Sequence, residues 1–423
     1  MSAKSPYIVR ATHCDYRAAD EQVYQALKRA TDPLTETWDR LSRAKRIGIK
    51  FNQDKHVERQ VRYEGMLQQL VSAPVVRAVI RLLQERTDAE LVVTDVSFYV
   101  MYDGQDPMKT ATALPIFREM GVKYVDATKP PYTTVQVPGG GQMFRQYLLP
   151  TSSVEVDEFV SVAKLKNHAF MGITLALKNL FGLMPAEPEG HTRSYFHHIV
   201  RMPYMLADMG RMYDPVLNIV DGLIGQAGRE WGNGLDEGPV RIANTLLAGN
   251  QIIATDAVGA YLMGHDPESD WLTPPFHRDR NPLLVAAEGG FGTVNLDEID
   301  FESEVVAPVG EFYAAQTDSV ETCISWRLTT AEQALYYQEN RQRIIDEYAG
   351  EYILLQEGEV RWHDKSSSQR ISRRIIAGDR KEQALWMKYV DPDEAEGEHF
   401  EVYDEALAVS SAAREKYKTA VVS

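Results

Sequence analysis

The sequence predicts an α/β fold with mainly parallel sheets and crossover helices in two lobes, followed by a small C-terminal α+β module. Three observations support this fold class: short apolar runs alternate with amphipathic helical patterns, the 423 residues exceed one ordinary core, and apolar residues make up 44% of the chain. We therefore place an N-terminal α/β lobe at residues 1–150, a second α/β lobe at 151–310 and the module at 331–405.

The first lobe shows strands and helices in alternation, which favours parallel strands joined by crossover helices. Ligands of such sheets gather beyond the carboxyl ends of the strands, where Asn52, Asp95 and Asp126 lie. Its elements are, in order, a helical stretch at 18–44, a strand at 46–52, a helix at 73–86 with Pro74 in its first turn, a strand at 91–95, a helix at 114–120, a strand at 122–126 and a hairpin excursion at 129–150.

The second lobe and the module also show alternating strand and helix patterns. An acidic tail at 391–405 is expected to be solvated. The lobe contains a strand pattern at 154–162, a strand at 217–221, a glycine-rich loop at 222–238 and a helix entered from 251–256. The module contains a charged helix at 331–348, a hairpin of strands at 352–355 and 359–362, a basic helix at 367–377 and a strand at 385–390.

Charge and cysteine content exclude several classes of partner and cofactor. The net charge of −16 repels phosphate backbones and anionic lipid, so we expect neither nucleic-acid nor membrane binding. The two cysteines, Cys14 and Cys323, cannot form a disulfide framework, a zinc ribbon or an iron–sulfur cluster held by this chain alone. Because no signal-peptide pattern and no run of about eighteen apolar residues occurs, we expect a cytoplasmic protein.

The segment from Lys164 to Gly182 is the most unusual part of the chain. The strand pattern at Val160–Leu165 should enter a buried sheet, yet polar side chains crowd its exit. Burying such groups is costly unless they have partners or meet a ligand. The polar residues at this exit are Lys164, Lys166, Asn167 and His168.

The helix predicted after this strand adds two more polar groups. Thr174 and Lys178 are four residues apart, which would place both on one helix face. We expect an anion site in which Lys166 and Lys178 hold a carboxylate or phosphate and Asn167 orients it. His168 would then transfer a proton near neutral pH. The alternative is a solvated rim of lysines with His168 as an ordinary turn histidine.

A second cluster of titratable groups comes from the histidines that follow this segment. His191, His197 and His198 could ligate a divalent metal ion with Asp221 or Asp256 as the carboxylate partner. No HExxH spacing is present, and a continuous helix would separate His191 from His198 by two turns. Surface or capping histidines are the alternative interpretation.

Over about residues 46 to 300 the chain resembles the family catalogued as domain of unknown function 362. This family often carries ferredoxin-like iron–sulfur modules, and the present chain departs from it by lacking their cysteines. The resemblance implies shared polar positions without assigned roles at Lys50, Asn52, Lys166, His168, Lys178, Asn179, Asp221 and Asp256. It depends on the segments Ile49–Asn52, Val162–His168, Thr174–Gly182, Asn218–Gly222, Ala254–Gly264 and Gly290–Gly292.

More distantly, the order of an α/β half, a segment of histidine, glycine and lysine, and a later histidine is similar to the nickel-pincer lactate racemases. That resemblance would map their lysine-tethered cofactor loosely onto Lys178, although the local motif differs. The cofactor of this chain is otherwise unknown, with a divalent metal ion as one candidate.

Together these patterns favour an enzyme of the isomerase or oxidoreductase kind that acts on a small anionic metabolite by proton transfer, isomerisation or a related redox step. The alternatives are a non-catalytic metabolite- or metal-binding assembly protein and a cofactor-maturation factor, with a homo-oligomer or a protein partner recruited through the module. The catalytic candidates are His168, Lys178 and His191. The substrate-binding candidates are Lys50, Asn52, Lys166, Asn167, Thr174 and Asn179. The metal-binding candidates are His198, Asp221 and Asp256.

Overall fold

The computed structural model describes residues 5–55, 58, 60–97, 110–185, 189–229, 239–366, 373–380 and 384–422. Its strands are β1 (Tyr7–His13), β2 (Arg46–Phe51), β3 (Arg62–Tyr63), β4 (Met66–Leu67), β5 (Glu90–Asp95), β6 (Lys123–Asp126), β7 (Tyr132–Gln136), β8 (Gln146–Pro150), β9 (Glu158–His168), β10 (Gly172–Thr174), β11 (Leu217–Gln226), β12 (Val240–Gly249), β13 (Ile299–Ser303), β14 (Tyr352–Gln356), β15 (Glu359–Asp364) and β16 (Trp386–Tyr389).

Its α-helices are α1 (Asp20–Thr31), α2 (Thr35–Arg43), α3 (Ala73–Arg86), α4 (Leu114–Glu119), α5 (Thr151–Val154), α6 (Ala176–Asn179), α7 (Arg193–Phe196), α8 (Arg201–Tyr213), α9 (Ile252–Leu262), α10 (Pro282–Glu288), α11 (Val320–Glu339), α12 (Arg341–Tyr348), α13 (Arg373–Ala377) and α14 (Glu401–Val422). Short 3₁₀ turns lie at Pro138–Gly140, Leu180–Leu183, Leu296–Glu298 and Gly378–Arg380. Within the described part of the chain, no helix combines the length and the apolar composition needed to cross a bilayer.

One nine-stranded sheet organises most of the chain, in the order β13-β1-β12-β11-β9-β2-β5-β6, with β10 paired to β9. The neighbours β11, β9, β2, β5 and β6 run parallel to one another, which confirms the predicted α/β class. Strands from residues 1–150 and from 151–310 share this sheet, so the two predicted lobes do not have separate sheets. Their boundary at residue 150 is therefore an arbitrary division of one structural layer.

Alternating side chains of the central strands build a core on each face of the sheet. Val160 and Val162 of β9 join one buried cluster with α1 and α3, whereas Ala163 and Leu165 join another with α8 and α9. Because both faces are covered, the strands are apolar on both sides, as expected for parallel strands between helical layers. A polar side chain on these strands must therefore find a partner inside the protein.

The strand order reverses between β2 and β9. From β2 the chain proceeds to β5 and β6 on one side, and β9 then pairs with the opposite side of β2. In open α/β sheets, such a reversal leaves a crevice at the carboxyl ends of the two strands, where ligands bind. A ligand site is therefore expected near the carboxyl ends of β2 and β9.

The strand and helix predictions around the motif need correction. β9 does not end near Leu165 but continues to His168, and β10 folds back on it. Thr174 lies on β10 while Lys178 lies on the single-turn helix α6, so the two do not share one helix face. The hairpin of β9 and β10 was not predicted from the sequence, because the return strand β10 has only three residues.

The C-terminal module contains the antiparallel sheet β15-β14-β16, which confirms the predicted hairpin, and its long helix α11 begins at Val320 rather than near residue 331. The expectation of a solvated acidic tail is wrong. The side chain of Glu398 is fully buried, and α14 packs along α11. Residues 230–238 of the predicted glycine-rich loop and 367–372 of the predicted basic helix lie outside the described residues.

Candidate functional site

His168 ends β9 at the crevice and is held there by the tight return of the chain into β10. Its Nδ1 accepts hydrogen bonds from the backbone N–H groups of Phe170, at 3.0 Å, and Met171, at 3.1 Å. A nitrogen that accepts two N–H bonds carries no proton, so the neutral ring has its hydrogen on Nε2. The site therefore presents an imidazole with a fixed tautomer.

The four charged groups with the largest effects on the pKa of His168 are all cationic. Burial is the largest cause that holds the pKa of His168 well below its usual value, followed by Lys178, Lys166, Arg278 and Arg193. A positive charge beside an imidazole disfavours the imidazolium. At neutral pH the ring is therefore uncharged, and because the two backbone amides use the lone pair of Nδ1, any contact of the ring with a ligand would be made through the donor Nε2–H.

Aromatic rings support the cations of this group. The Lys178 Nζ lies 4.5 Å and the Arg193 Cζ 4.7 Å from the centre of the Phe181 ring. The Arg278 Cζ lies 5.0 Å from the centre of the Phe170 ring. A cation over an aromatic face is attracted by the ring, and Arg278 also forms an ion pair with Asp318 at 3.4 Å. We call Lys166, Lys178, Arg193 and Arg278, together with His168 and His197, the cationic cluster.

His197 is the second imidazole of the cationic cluster. Its ring meets the Phe181 ring edge-on, with 4.3 Å between ring centres. Its Nδ1 lies 3.2 Å from the carbonyl oxygen of Arg193, and a carbonyl only accepts, so Nδ1 carries the hydrogen and Nε2 keeps a lone pair. Burial, then Lys178, Arg193 and His168 lower its pKa well below the usual value. The two rings thus have opposite tautomers.

Lys166 and Thr174 share one side of the β9–β10 pair. They are directly opposite each other in the antiparallel register, so their side chains lie on the same sheet face. The Lys166 Nζ donates to the carbonyl oxygen of Gln69 at 3.0 Å. The Thr174 Oγ1 is buried and has no hydrogen-bond partner among the described residues. The two side chains therefore face the same side of the sheet, and their role in anion binding stays a prediction.

The three predicted asparagines have mainly architectural surroundings. Asn167 points to the other sheet face, where its Nδ2 lies 3.0 Å from both the Gly172 carbonyl oxygen and His265 Nε2. The Nδ2 of Asn179 donates to the carbonyl oxygen of Lys50 at 3.0 Å and so braces the end of β2. The Oδ1 of Asn52 is buried without a partner among the described residues. The Oδ1 atoms of Asn167 and Asn179 are likewise buried without a partner among the described residues.

Lys50 is committed to an ion pair rather than to a ligand. Its Nζ lies 3.0 Å from Asp95 Oδ1 and donates to the Phe51 carbonyl oxygen at 2.7 Å. Burial raises the pKa of Asp95 to about 7, against the lowering effect of Lys50. A Cβ at position 182 would lie 2.7 Å from the Lys50 Cε, which explains glycine at the end of the motif. The pair fills the space under Gly182.

The three predicted metal ligands have separate partners and do not form one site. Asp221 pairs with Lys164 at 3.1 Å, and Asp256 accepts from the backbone N–H of Ala176, at 2.9 Å, at the start of α6. His198 Nε2 lies 3.0 Å from the carbonyl oxygen of Leu385 in the module. Across the residues that the structure describes, no group of three His, Cys, Asp or Glu side chains could hold a metal ion. A metal ion in this chain stays a prediction without assigned ligands.

His191 lies apart from the cationic cluster, against the module. Its Nε2 is 2.7 Å from Glu396 Oε1 and its Nδ1 is 2.6 Å from the Tyr352 hydroxyl oxygen. Its ring stacks on Tyr195, with 4.0 Å between ring centres. Cavities of about 120 and 290 Å³ lie beside it. The structure thus separates His191 from His168 and Lys178, with which it had been grouped as catalytic.

Sequence reasoning missed Arg193, His197 and Arg278 as members of this site. Arg193 lies between His191 and His197 in a segment already identified as unusual, so a search for cations near the histidines would have found it. Arg278 offered no such signal. It comes from the loop between α9 and α10, and only the tertiary fold brings it to the Phe170 ring.

Residues 61–261 match the model of the family described as "Domain of unknown function (DUF362)". The resemblance stated from the motifs is therefore confirmed over that part of the chain. A thylakoid-associated protein of Synechocystis sp. is 26% identical over 203 residues, which cover 46% of this chain and 57% of that protein. The chain thus matches little more than half the length of this curated relative.

Among solved structures, the lactate racemase apoprotein from Thermoanaerobacterium thermosaccharolyticum is similar with a TM-score of 0.28 and 12% identity. The match covers 53% of this chain and 51% of that protein. No residue role is transferred from it.

Proposed function

We propose that this chain, which matches the DUF362 family over residues 61–261, is an enzyme that binds a small anionic metabolite at the cationic cluster and moves a proton on it. The metabolite carries a carboxylate or a phosphate. The reaction is a proton transfer, an isomerisation or a related redox step. The proposal includes a cytoplasmic location and no nucleic-acid partner.

The observation that carries this proposal is the set of charges around the two imidazoles. Lys178 and Arg193 act on both His168 and His197, and each lowers the pKa of both rings. Cations brought close together repel one another, and a bound anion lowers that repulsion. Ligands of α/β sheets bind where the strand order reverses, and the reversal between β2 and β9 at the strand that carries His168 supports the proposal.

The tautomers suggest how the work is divided. In our proposal Lys178, Arg193 and Arg278 neutralise the anionic group of the metabolite. The Nε2–H of His168 donates to an oxygen on which negative charge develops, and the lone pair on His197 Nε2 accepts the proton that the metabolite loses. His197 then returns this proton to another atom of the metabolite, or releases it to solvent as the product leaves. This division replaces the expectation that His168 itself moves the proton.

A non-catalytic binding protein is the second candidate. It is favoured by the same low basicity of both rings, because an imidazole with a pKa well below its usual value is a weak base at pH 7. A metabolite that stays bound without turnover would support this second function. Proton exchange from the bound metabolite into deuterated solvent would support the enzyme.

Substitution of Lys178 tests the anion site directly. Lys178→Ala should weaken binding of inorganic phosphate about tenfold to a hundredfold, since a hydrogen bond to a charged group contributes about 1.5–3 kcal/mol. Isothermal titration calorimetry with phosphate and with acetate measures the affinities. The melting temperature should change little, because the side chain is only half-buried.

Two matched variants complete this experiment. Lys178→Arg keeps the charge and should retain most of the affinity. Arg43→Ala removes a cation that is 78% exposed on α2 and should bind phosphate like the wild type. Equal phosphate affinity for Lys178→Ala and the wild type would rule out Lys178 as an anion ligand. A wild-type protein that binds neither phosphate nor acetate would contradict the anion site as a whole.

A further inference from the structure

The segment His191–Arg201 connects the cationic cluster with the C-terminal module. Arg193 and His197 act on the cluster, whereas His191, Tyr195 and Arg201 contact the module. The side chains of one short segment therefore serve both parts of the protein. What holds this segment in place also determines where two members of the cluster lie.

Two carboxylates of the module bind the segment. Glu396 accepts from His191 Nε2 at 2.7 Å through Oε1 and from the Tyr195 hydroxyl at 2.9 Å through Oε2. Glu398 forms an ion pair with Arg201 at 2.9 Å, and both of these side chains are fully buried. A buried carboxylate is costly unless it is paired, and both find partners on this segment. The contacts are thus more than incidental packing.

Further contacts join the backbone and the side chains of the segment to the module. The Arg373 Nη2 donates to the carbonyl oxygen of Ser194 at 2.6 Å, and His198 Nε2 lies 3.0 Å from the Leu385 carbonyl oxygen. The Arg201 Nη1 donates to the carbonyl oxygen of Met387 at 3.1 Å. Module residues therefore contact the segment at several points along its length.

The backbone at Val200 shows that the segment needs such support. Val200 has φ 73° and ψ −51°, a conformation that a β-branched residue adopts only under constraint. It is buried, and its N–H donates to Asp279 Oδ2 at 2.7 Å, while Asp279 is in turn paired with Arg327 of α11. A strained residue persists only where its surroundings determine its position.

We propose that Glu396 and Glu398 are positioning residues: through His191, Tyr195 and Arg201 they hold the segment so that Arg193 and His197 complete the cationic cluster. This inference rests on the proposed function of that cluster. It makes the module a structural part of the site, in addition to any partner that the module recruits.

The test measures the support and its consequence separately. In Glu396→Gln, backbone amides of residues 192–200 should exchange hydrogen at least about tenfold faster than in the wild type, because the carboxylate that binds His191 and Tyr195 is lost. Glu332→Gln, at an exposed position on α11, is the matched control and should leave exchange unchanged. Unchanged exchange in Glu396→Gln would overturn the inference whatever the ligand.

The consequence is read from phosphate affinity in a double-mutant cycle. Glu396→Gln should weaken phosphate binding about tenfold with a near-normal melting temperature, and Arg193→Ala should weaken it at least as much. If Glu396 acts through Arg193, the double variant should bind no more weakly than Arg193→Ala. Additive losses would overturn the inference while leaving the anion site intact. Absence of phosphate binding by the wild type would refute the proposed function, and the exchange experiment would still decide whether Glu396 holds the segment.

Discussion

At the scale of single residues, the candidate site is defined by hydrogen bonds that fix protons. Two backbone amides determine the tautomer of His168, and one carbonyl determines that of His197. Burial, reinforced by the neighbouring cations, holds the pKa of both rings well below the usual value and keeps them neutral. In the proposed reaction a negative charge develops on the ligand, and such preorganisation would help because donors and charges need not rearrange.

The low pKa of His168 predicts a specific pH dependence of stability. Its folded pKa lies well below the unfolded value of about 6.5, so below pH 6.5 the unfolded chain binds more protons than the folded protein. The stability that the neutral ring contributes is complete above about pH 6.5 and is lost as the pH falls toward the folded pKa. In His168→Asn this loss should disappear, while the amide oxygen still accepts from the backbone.

Urea unfolding at several pH values between about 4.5 and 7.5 measures this difference. Below about pH 6.5 the free energy of unfolding of the wild type should fall more steeply than that of His168→Asn, by up to about 1.4 kcal/mol per pH unit. The comparison cancels the contributions of the other buried acids and histidines, which both proteins share. Parallel pH profiles would show that His168 is not held neutral.

At the scale of secondary-structure elements, helix α6 depends on one carboxylate. Asp256 of α9 accepts from the backbone N–H of Ala176 at 2.9 Å and of Leu177 at 2.7 Å. These amides begin a helix of four residues, which could not form alone. The same helix carries Lys178, so Asp256 determines where the lysine lies.

Removal of this carboxylate should therefore destabilise the protein and weaken the site. In Asp256→Ala two buried N–H groups lose their acceptor, and the free energy of unfolding should fall by about 2–3 kcal/mol. Urea denaturation measures the loss, and phosphate affinity should fall with it. Asp20→Ala, at an exposed first-turn position of α1, should change stability by less than about 0.5 kcal/mol. A stable Asp256→Ala protein would show that α6 is held by other contacts.

The elements that the sequence predicted well are those with one clear periodicity. The helix at 73–86 and the strands after it appear as expected, because an apolar stripe and a β-branched run leave little choice. β9 was harder to predict, since its polar residues from Lys164 to His168 suggest an exit, whereas the fold buries them with partners from distant segments. The acidic tail was predicted to be solvated because its buried partners are not apparent in the sequence either. Its cations Arg201 and Lys388 are remote in sequence or lie in another element.

At the scale of the whole molecule, a cationic cluster lies inside a strongly acidic protein. The chain carries a net charge of −16, yet the charges acting most strongly on His168 are cationic. The acidic surface repels polyanions. A small anion that reaches the cationic cluster would lie closer to its cations than to the surface carboxylates, and would therefore interact more strongly with the cations. Under the proposed function, this arrangement would favour small anions over polyanions.

This selection can be tested with two anions of different size. At about 150 mM salt, double-stranded DNA should not be retarded by the protein in an electrophoretic mobility assay, whereas inorganic phosphate should bind in calorimetry. Because DNA is not expected to bind the cationic cluster, added phosphate should not alter the DNA result. Retardation of DNA that depends on Lys178 would mean that the cluster is open to polyanions and would contradict the proposed small-metabolite site.

Glu398 and its partner Arg201 are 197 positions apart in the sequence, and Glu396 and its partner His191 are 205 positions apart. A ribosome adds about 5–20 residues each second, so the first partner waits about ten seconds or more for the second. Until then the segment that carries Arg193 and His197 lacks its contacts with Glu396 and Glu398. If Glu396 and Glu398 position the segment as proposed, a nascent or nicked chain that lacks them would leave Arg193 and His197 without that support.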